Sequence, residues 1–105
     1  MVTYSQLGNM GRLGNGCFEV AATLAYAART GKKPEFPEWD YFRYFEHDFS
    51  IGKLDNATRY QEPHFHYADI PVMDGSIDLS GFFQSEKYWS GHEDLILSAF
   101  QLKKQ

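Results

Sequence analysis

Two short stretches of the chain concentrate groups able to hold a charged or hydroxylated ligand. The first, GRLGNG at residues 11–16, sets three glycines, Arg12 and Asn15 directly before an alanine-rich run. Glycine at a helix entrance costs stability unless the backbone turns sharply or something approaches closely. The spacing Gly8-x-x-Gly11-x-x-Gly14-x-Gly16 is neither the dinucleotide fingerprint nor a P-loop, which needs a Lys-Ser/Thr pair after it. Its physics still suits an anion, because helix-entrance N–H groups are unpaired, the dipole is positive there and Arg12 adds a forked donor. A tight turn without a ligand is the plainer alternative, and the pattern leaves both open.

The second stretch is QSEKYW, residues 84–89. Glu86 and Lys87 stand at the end of an expected strand, where open α/β sheets place ligand-contacting groups. A carboxylate at that position is suited to act as general base toward a hydroxyl, and Glu86 is the candidate catalytic residue. An ordinary solvated turn with a helix cap is the competing reading. His64 and His66 have metal-ligand spacing if their segment is extended, but no third ligand is placed by the sequence. Cys17, one turn into the helix, lies near the positive end of the dipole, which favours its thiolate.

The elements that must position these groups follow from the pattern. Residues 2–7 read as a first strand, and Phe18, Ala21, Ala22, Leu24, Ala25 and Ala28 give one apolar face to a helix over 15–30. Asn15 is its expected N-cap and Gly31 its stop. A strand, a tight loop and a helix make the opening of a βαβ unit. Residues 33–37 are the next expected strand, short and bounded by prolines. Residues 39–49 predict a short helical turn, 50–63 a loop, 64–72 an extended segment, 76–83 a strand, and 91–102 a terminal helix entered at Ser90. Strands 2–7 and 78–83 are expected in one parallel sheet.

Composition narrows the possibilities. The 105 residues make one domain, with 43% hydrophobic and 23% charged residues, as in ordinary globular proteins. A net charge of −4 lacks the electrostatic footprint of nucleic-acid binding. No apolar run approaches a membrane span, and the first residues carry no signal-peptide pattern, so a cytoplasmic location is expected. A single cysteine makes no internal disulfide framework. Aromatics reach 17%, and Tyr41, Phe42, Tyr44 and Phe45 are candidates for an exposed association patch.

Taken in order along the chain, the two stretches resemble a known family. GRLGNG-CFEVAATLAYAARTGKKPEFP is similar to the amino-terminal motif of the alpha-1,2-fucosyltransferases, usually a Gly-Gly-Leu-Gly-Asn-Gln loop and an alanine-rich helix. FHYADIPV followed by IDLSGFFQSEKYW resembles that family's Gly-Tyr-Phe-Gln-Ser-Glu-Lys-Tyr-Phe segment. The resemblance covers nearly the whole chain. It implies an α/β fold, with residues 1–105 forming a single Rossmann-like three-layer domain, the first half of a two-domain glycosyltransferase. It further implies inverting transfer of fucose from GDP-fucose to a glycan hydroxyl, with no metal and no cofactor. The substrate-contacting residues would be Gly11, Arg12, Gly14, Asn15, Gly16, Gln84, Ser85 and Lys87.

Three departures qualify that expectation. Gly16 stands where the family usually has Gln, and Glu19 replaces another Gln. Family members also continue into a His-x-Arg-Arg-x-Asp-type motif and a second, donor-binding half, whereas this chain has four arginines and no adjacent pair. Three functions therefore stand side by side. The chain is a transferase half completed by a homodimer or by a partner chain, a non-catalytic module that binds glycan or nucleotide sugar, or a remnant with a protein-contact role.

Overall fold

The computed structural model describes residues 1–9, 13–63 and 67–103. The chain order is β1 (Val2–Thr3), α1 (Leu13–Thr30), a 3-10 helix (Asp40–Tyr44), β2 (Thr58–Gln61), β3 (Ile77–Ser80), a second 3-10 helix (Glu86–Trp89) and α2 (Glu93–Ala99). The three strands form one sheet in the order β1-β3-β2, and both pairings are parallel. The expected pairing of the first and fourth sequence segments is therefore present, with β1 and β3 shorter than 2–7 and 78–83.

Strand register explains where the core sits. Val2 pairs with Ile77 and Thr3 with Asp78, while Thr58, Arg59, Tyr60 and Gln61 pair with Ile77, Asp78, Leu79 and Ser80. Paired residues share a face. Val2, Ile77 and Leu79 thus fall on one face, in the same core cluster as Val20, Leu24 and Tyr26 of α1 and Ile96 and Ala99 of α2. The opposite face carries Thr3, Asp78, Ser80, Arg59 and Gln61, with Arg59 and Asp78 paired at 3.6 Å.

α1 forms over 18 residues because its apolar positions recur at helical spacing, and it ends before Gly31, whose φ is +71°. It starts at Leu13, so Asn15 lies inside the first turn and is not the N-cap expected of it. The 33–37 segment joins the sheet only through a parallel bridge from Val2 to Pro34, with Phe36 bridging to Ile51 beyond it. Pro34 and Pro37 lack the N–H a longer ladder needs. β2 lies in the 50–63 stretch expected as loop. Its side chains are mostly exposed, so no alternation marks it, and backbone pairing to β3 alone makes it a strand. α2 is shorter than 91–102 and is entered at His92 rather than Ser90, residues 86–89 having turned into the 3-10 helix. The 67–72 part of the expected extended segment has no regular structure, and 64–66 lie outside the described residues.

The aromatic stretch divides. Phe45 is buried, and Phe42 stacks on Phe49 at 4.2 Å and meets Phe36 and Trp39 edge-on. Only Tyr41 and Tyr44 of the expected patch are exposed. Burying two of the four rings yields more apolar area than leaving them at a surface.

Candidate functional site

β1 has the 33–37 segment on one side and β3 on the other. The chain thus leaves β1 toward one edge and later fills the other, and such a reversal opens a crevice at the carboxyl ends of the strands. Both polar stretches of the sequence follow those ends. They meet: the Gln84 side-chain amide donates to Asn15 Oδ1. The contact extends deeper, where Phe18 of α1 packs on Trp89 at 5.4 Å.

The segment after β3 is shaped from beneath by buried polar groups. Glu62, at the end of β2, accepts from Phe83 N at 3.1 Å and from the Tyr88 hydroxyl at 2.6 Å. The Tyr4 hydroxyl donates to the Gly81 carbonyl and accepts from Gly81 N at 3.2 Å. Gly81 has φ +132°, and a Cβ there would lie within the Glu62 side chain. Phe83 holds φ +51°, strained for a bulky residue, and is fully buried between Tyr4 and Tyr88. The order of this segment comes from these contacts rather than from its own propensity. Burial raises the Tyr4 phenol, helped by the neighbouring Glu19 charge, and burial with the Glu62 hydrogen bond raises Tyr88, so both phenols stay protonated.

The candidate residues of 84–89 then separate. Ser85 caps the 3-10 helix by accepting from Lys87 N at 3.2 Å. Glu86 is exposed on that helix and lines an open cavity of about 320 Å³ with Trp89, Ser90 and Glu93. Lys87 lines the same cavity and also approaches Tyr67, its Nζ 5.9 Å from the centre of that ring. Gln84 alone of the four candidates joins the mouth of α1.

The glycine stretch resolves as far as it is described. Gly11 and Arg12 lie outside the described residues. Gly14 faces open space among the described residues: outside its chain neighbours and its own helix backbone, none has an atom within 4 Å of a Cβ placed on it. Gly16 is covered: a Cβ there would overlap the Trp39 indole, with Cη2 at 2.9 Å. The close approach that Gly16 allows is therefore that of a tryptophan ring. Cys17 departs from expectation, since burial pushes its thiol up and away from the thiolate. His64 and His66 lie outside the described residues, and no cluster of three metal-ligating side chains occurs among the described ones.

Two carboxylates outside the candidate site residues shape this region. Glu62 carried no signal, since the 50–63 stretch has no pattern. Glu19 did carry one, as an acid inside an alanine-rich helix face. It is fully buried, neither carboxylate oxygen has a hydrogen-bond partner among the described residues, and burial pushes it up to about 8. A further cavity of about 410 Å³ lies beyond the ends of β1 and the 33–37 segment, between Thr3, Ser5, Pro37, Glu38 and residues 51–54. Its volume is within the ligand-sized range.

No protein-family model, no curated protein and no solved structure matches this chain. No helix among the described residues is long and apolar enough to cross a membrane.

Proposed function

We propose that the chain is a fucosyltransferase-like, Rossmann-like half-domain that contacts the diphosphate of a GDP-sugar at the entrance to α1. The observation that carries this reading is the Asn15–Gln84 contact, which joins the two stretches of family resemblance at the carboxyl edge of a parallel sheet. Gly14 supports it by adding no side chain to the first helical turn. A glycan acceptor would occupy the neighbouring cavity beside Ser5 and Glu38. A Rossmann-like three-layer arrangement also calls for cover over the polar face of Thr3, Asp78 and Arg59.

Binding without turnover is the expected behaviour of the 105-residue chain by itself. Its four arginines include no adjacent pair to neutralise a departing GDP, and that neutralisation supplies much of the rate in transfer of this kind. A donor-binding half outside these 105 residues would supply it. Titration of GDP with amide shifts as readout tests the binding. Saturable shifts at residues 13–18 and Gln84 that weaken with added salt support it, and a flat response at about 1 mM, roughly 4 kcal/mol of affinity, overturns it. Fucose transfer by the purified chain, above a heat-killed control, would overturn the inactive-alone part.

A further inference from the structure

We infer that the chain carries a second, independent site for a tetrahedral oxyanion, a phosphate group, on the flank of α1. A cavity of about 130 Å³ lies between the second half of α1, residues 67–70 and residues 87–92. Arg29 stands 14 positions beyond Asn15, about 21 Å along a helix axis, so this cavity is separate from the α1 entrance. The site does not depend on a glycosyl-transfer role.

The lining is rich in donors and poor in acceptors. Arg29, Lys87, His92 and Ser90 all contribute to it. The Arg29 guanidinium spends one N–H on the Ile70 carbonyl at 2.6 Å and lies over the Tyr26 ring at 5.3 Å. That fixes its plane and leaves the rest of its fork for a ligand. The ion pairs among the described residues join Lys33 to Glu35 and Arg59 to Asp78, and neither engages Arg29 or Lys87. Asp69 is the one carboxylate of the lining, and it already accepts from the Tyr67 hydroxyl.

The two other phenols on the wall are committed as well. Tyr26 donates to the Pro71 carbonyl at 2.8 Å, and Tyr88 donates to Glu62. What remains are two cations, Arg29 and Lys87, against the single charge of Asp69 around a small polar space, an excess of positive charge that suits an anion. A phosphate group is such an anion. The volume holds one such group and falls well below the roughly 300–1,000 Å³ of a pocket that encloses a whole drug-sized molecule. A nucleotide is too large for it.

The test titrates inorganic phosphate, and separately a hexose 6-phosphate, into the chain at constant ionic strength, following backbone amide shifts. Saturable shifts are expected at Arg29, Asp69, Ile70 and residues 87–92. Arg29→Gln and Lys87→Gln should each weaken binding about tenfold, the loss of one charge-assisted contact. Arg29→Lys should fall between wild type and Arg29→Gln, because it keeps the charge and loses the fork. Lys87 is exposed, so Lys87→Gln reports on binding even if Arg29→Gln fails to fold. Lys33→Gln, which removes an exposed charge elsewhere, should leave affinity unchanged. Tighter binding of the hexose phosphate identifies a phosphorylated sugar as the occupant, and equal binding identifies the free anion. No saturation below about 20 mM, an affinity weaker than about 2.3 kcal/mol, overturns the site. Equal weakening by Lys33→Gln and Lys87→Gln would do the same, by showing nonspecific attraction only.

Discussion

The entrance of α1 and the segment after β3 meet through Asn15 and Gln84, yet they are held in opposite ways. Residues 81–89 rest on a floor of buried polar groups. Glu62 grips Phe83 N and Tyr88, Tyr4 grips both backbone groups of Gly81, and Phe83 keeps a left-handed backbone under that restraint. Gly14 on the other side faces open space, and Gly16 is covered only by the indole of Trp39. The difference assigns two jobs. One stretch is a preorganised wall, whose geometry is set by contacts from β1 and β2. The other is a helix entrance whose first described glycine carries no side-chain contact, the place proposed for a ligand. Glycine serves both, at Gly81 as a clearance for a carboxylate and at Gly16 as a seat for a ring.

Breaking the wall should give the largest effect. Gly81→Ala adds a Cβ inside the Glu62 side chain at a backbone angle that L residues avoid. Strain and the displaced carboxylate together predict a loss of about 3 kcal/mol in urea unfolding. A loss under about 1 kcal/mol would show that the floor is pliable and the contrast overstated.

Glu19 sharpens the comparison from the open side, one turn beyond Asn15. Its carboxyl is raised from 4.5 to about 8 by burial, so the folded chain holds a proton that the unfolded chain releases. Its contribution to stability is then greatest below about pH 4.5, falls as pH rises through 4.5 to 8, and levels off above. At pH 7 the loss amounts to about 3 kcal/mol. Glu19→Gln should flatten that slope, measured by chemical unfolding at pH 5, 6, 7 and 8. Parallel pH profiles for the two proteins would place Glu19 beside a partner.

The smallest effects separate the two helix-entrance glycines. Gly16→Ala must move the Trp39 ring and should cost about 1–3 kcal/mol as overpacking. Gly14→Ala meets nothing and should stabilise by about 0.5–1 kcal/mol, the helix propensity of alanine over glycine. Thermal unfolding of the pair reads both signs at once. Equal effects would remove the distinction between a covered and an uncovered glycine.

Local pattern alone carried α1, its stop at Gly31, the strand character of β1 and β3 and their parallel pairing. Those features rest on apolar periodicity and on backbone preferences that each residue brings with it. The same local reading named Asn15 and Gln84 as polar groups near a sheet edge. It had no means to join residues 69 positions apart. β2 escaped it because an exposed edge strand has no buried face to pattern, and its pairing with β3 uses backbone groups common to every sequence. Glu62, Tyr4 and Tyr88 became one support only when three separate segments closed over the same volume. Glu19 shows the division most sharply: its identity is plain in the sequence, but its proton depends on how much water the tertiary structure removes from it.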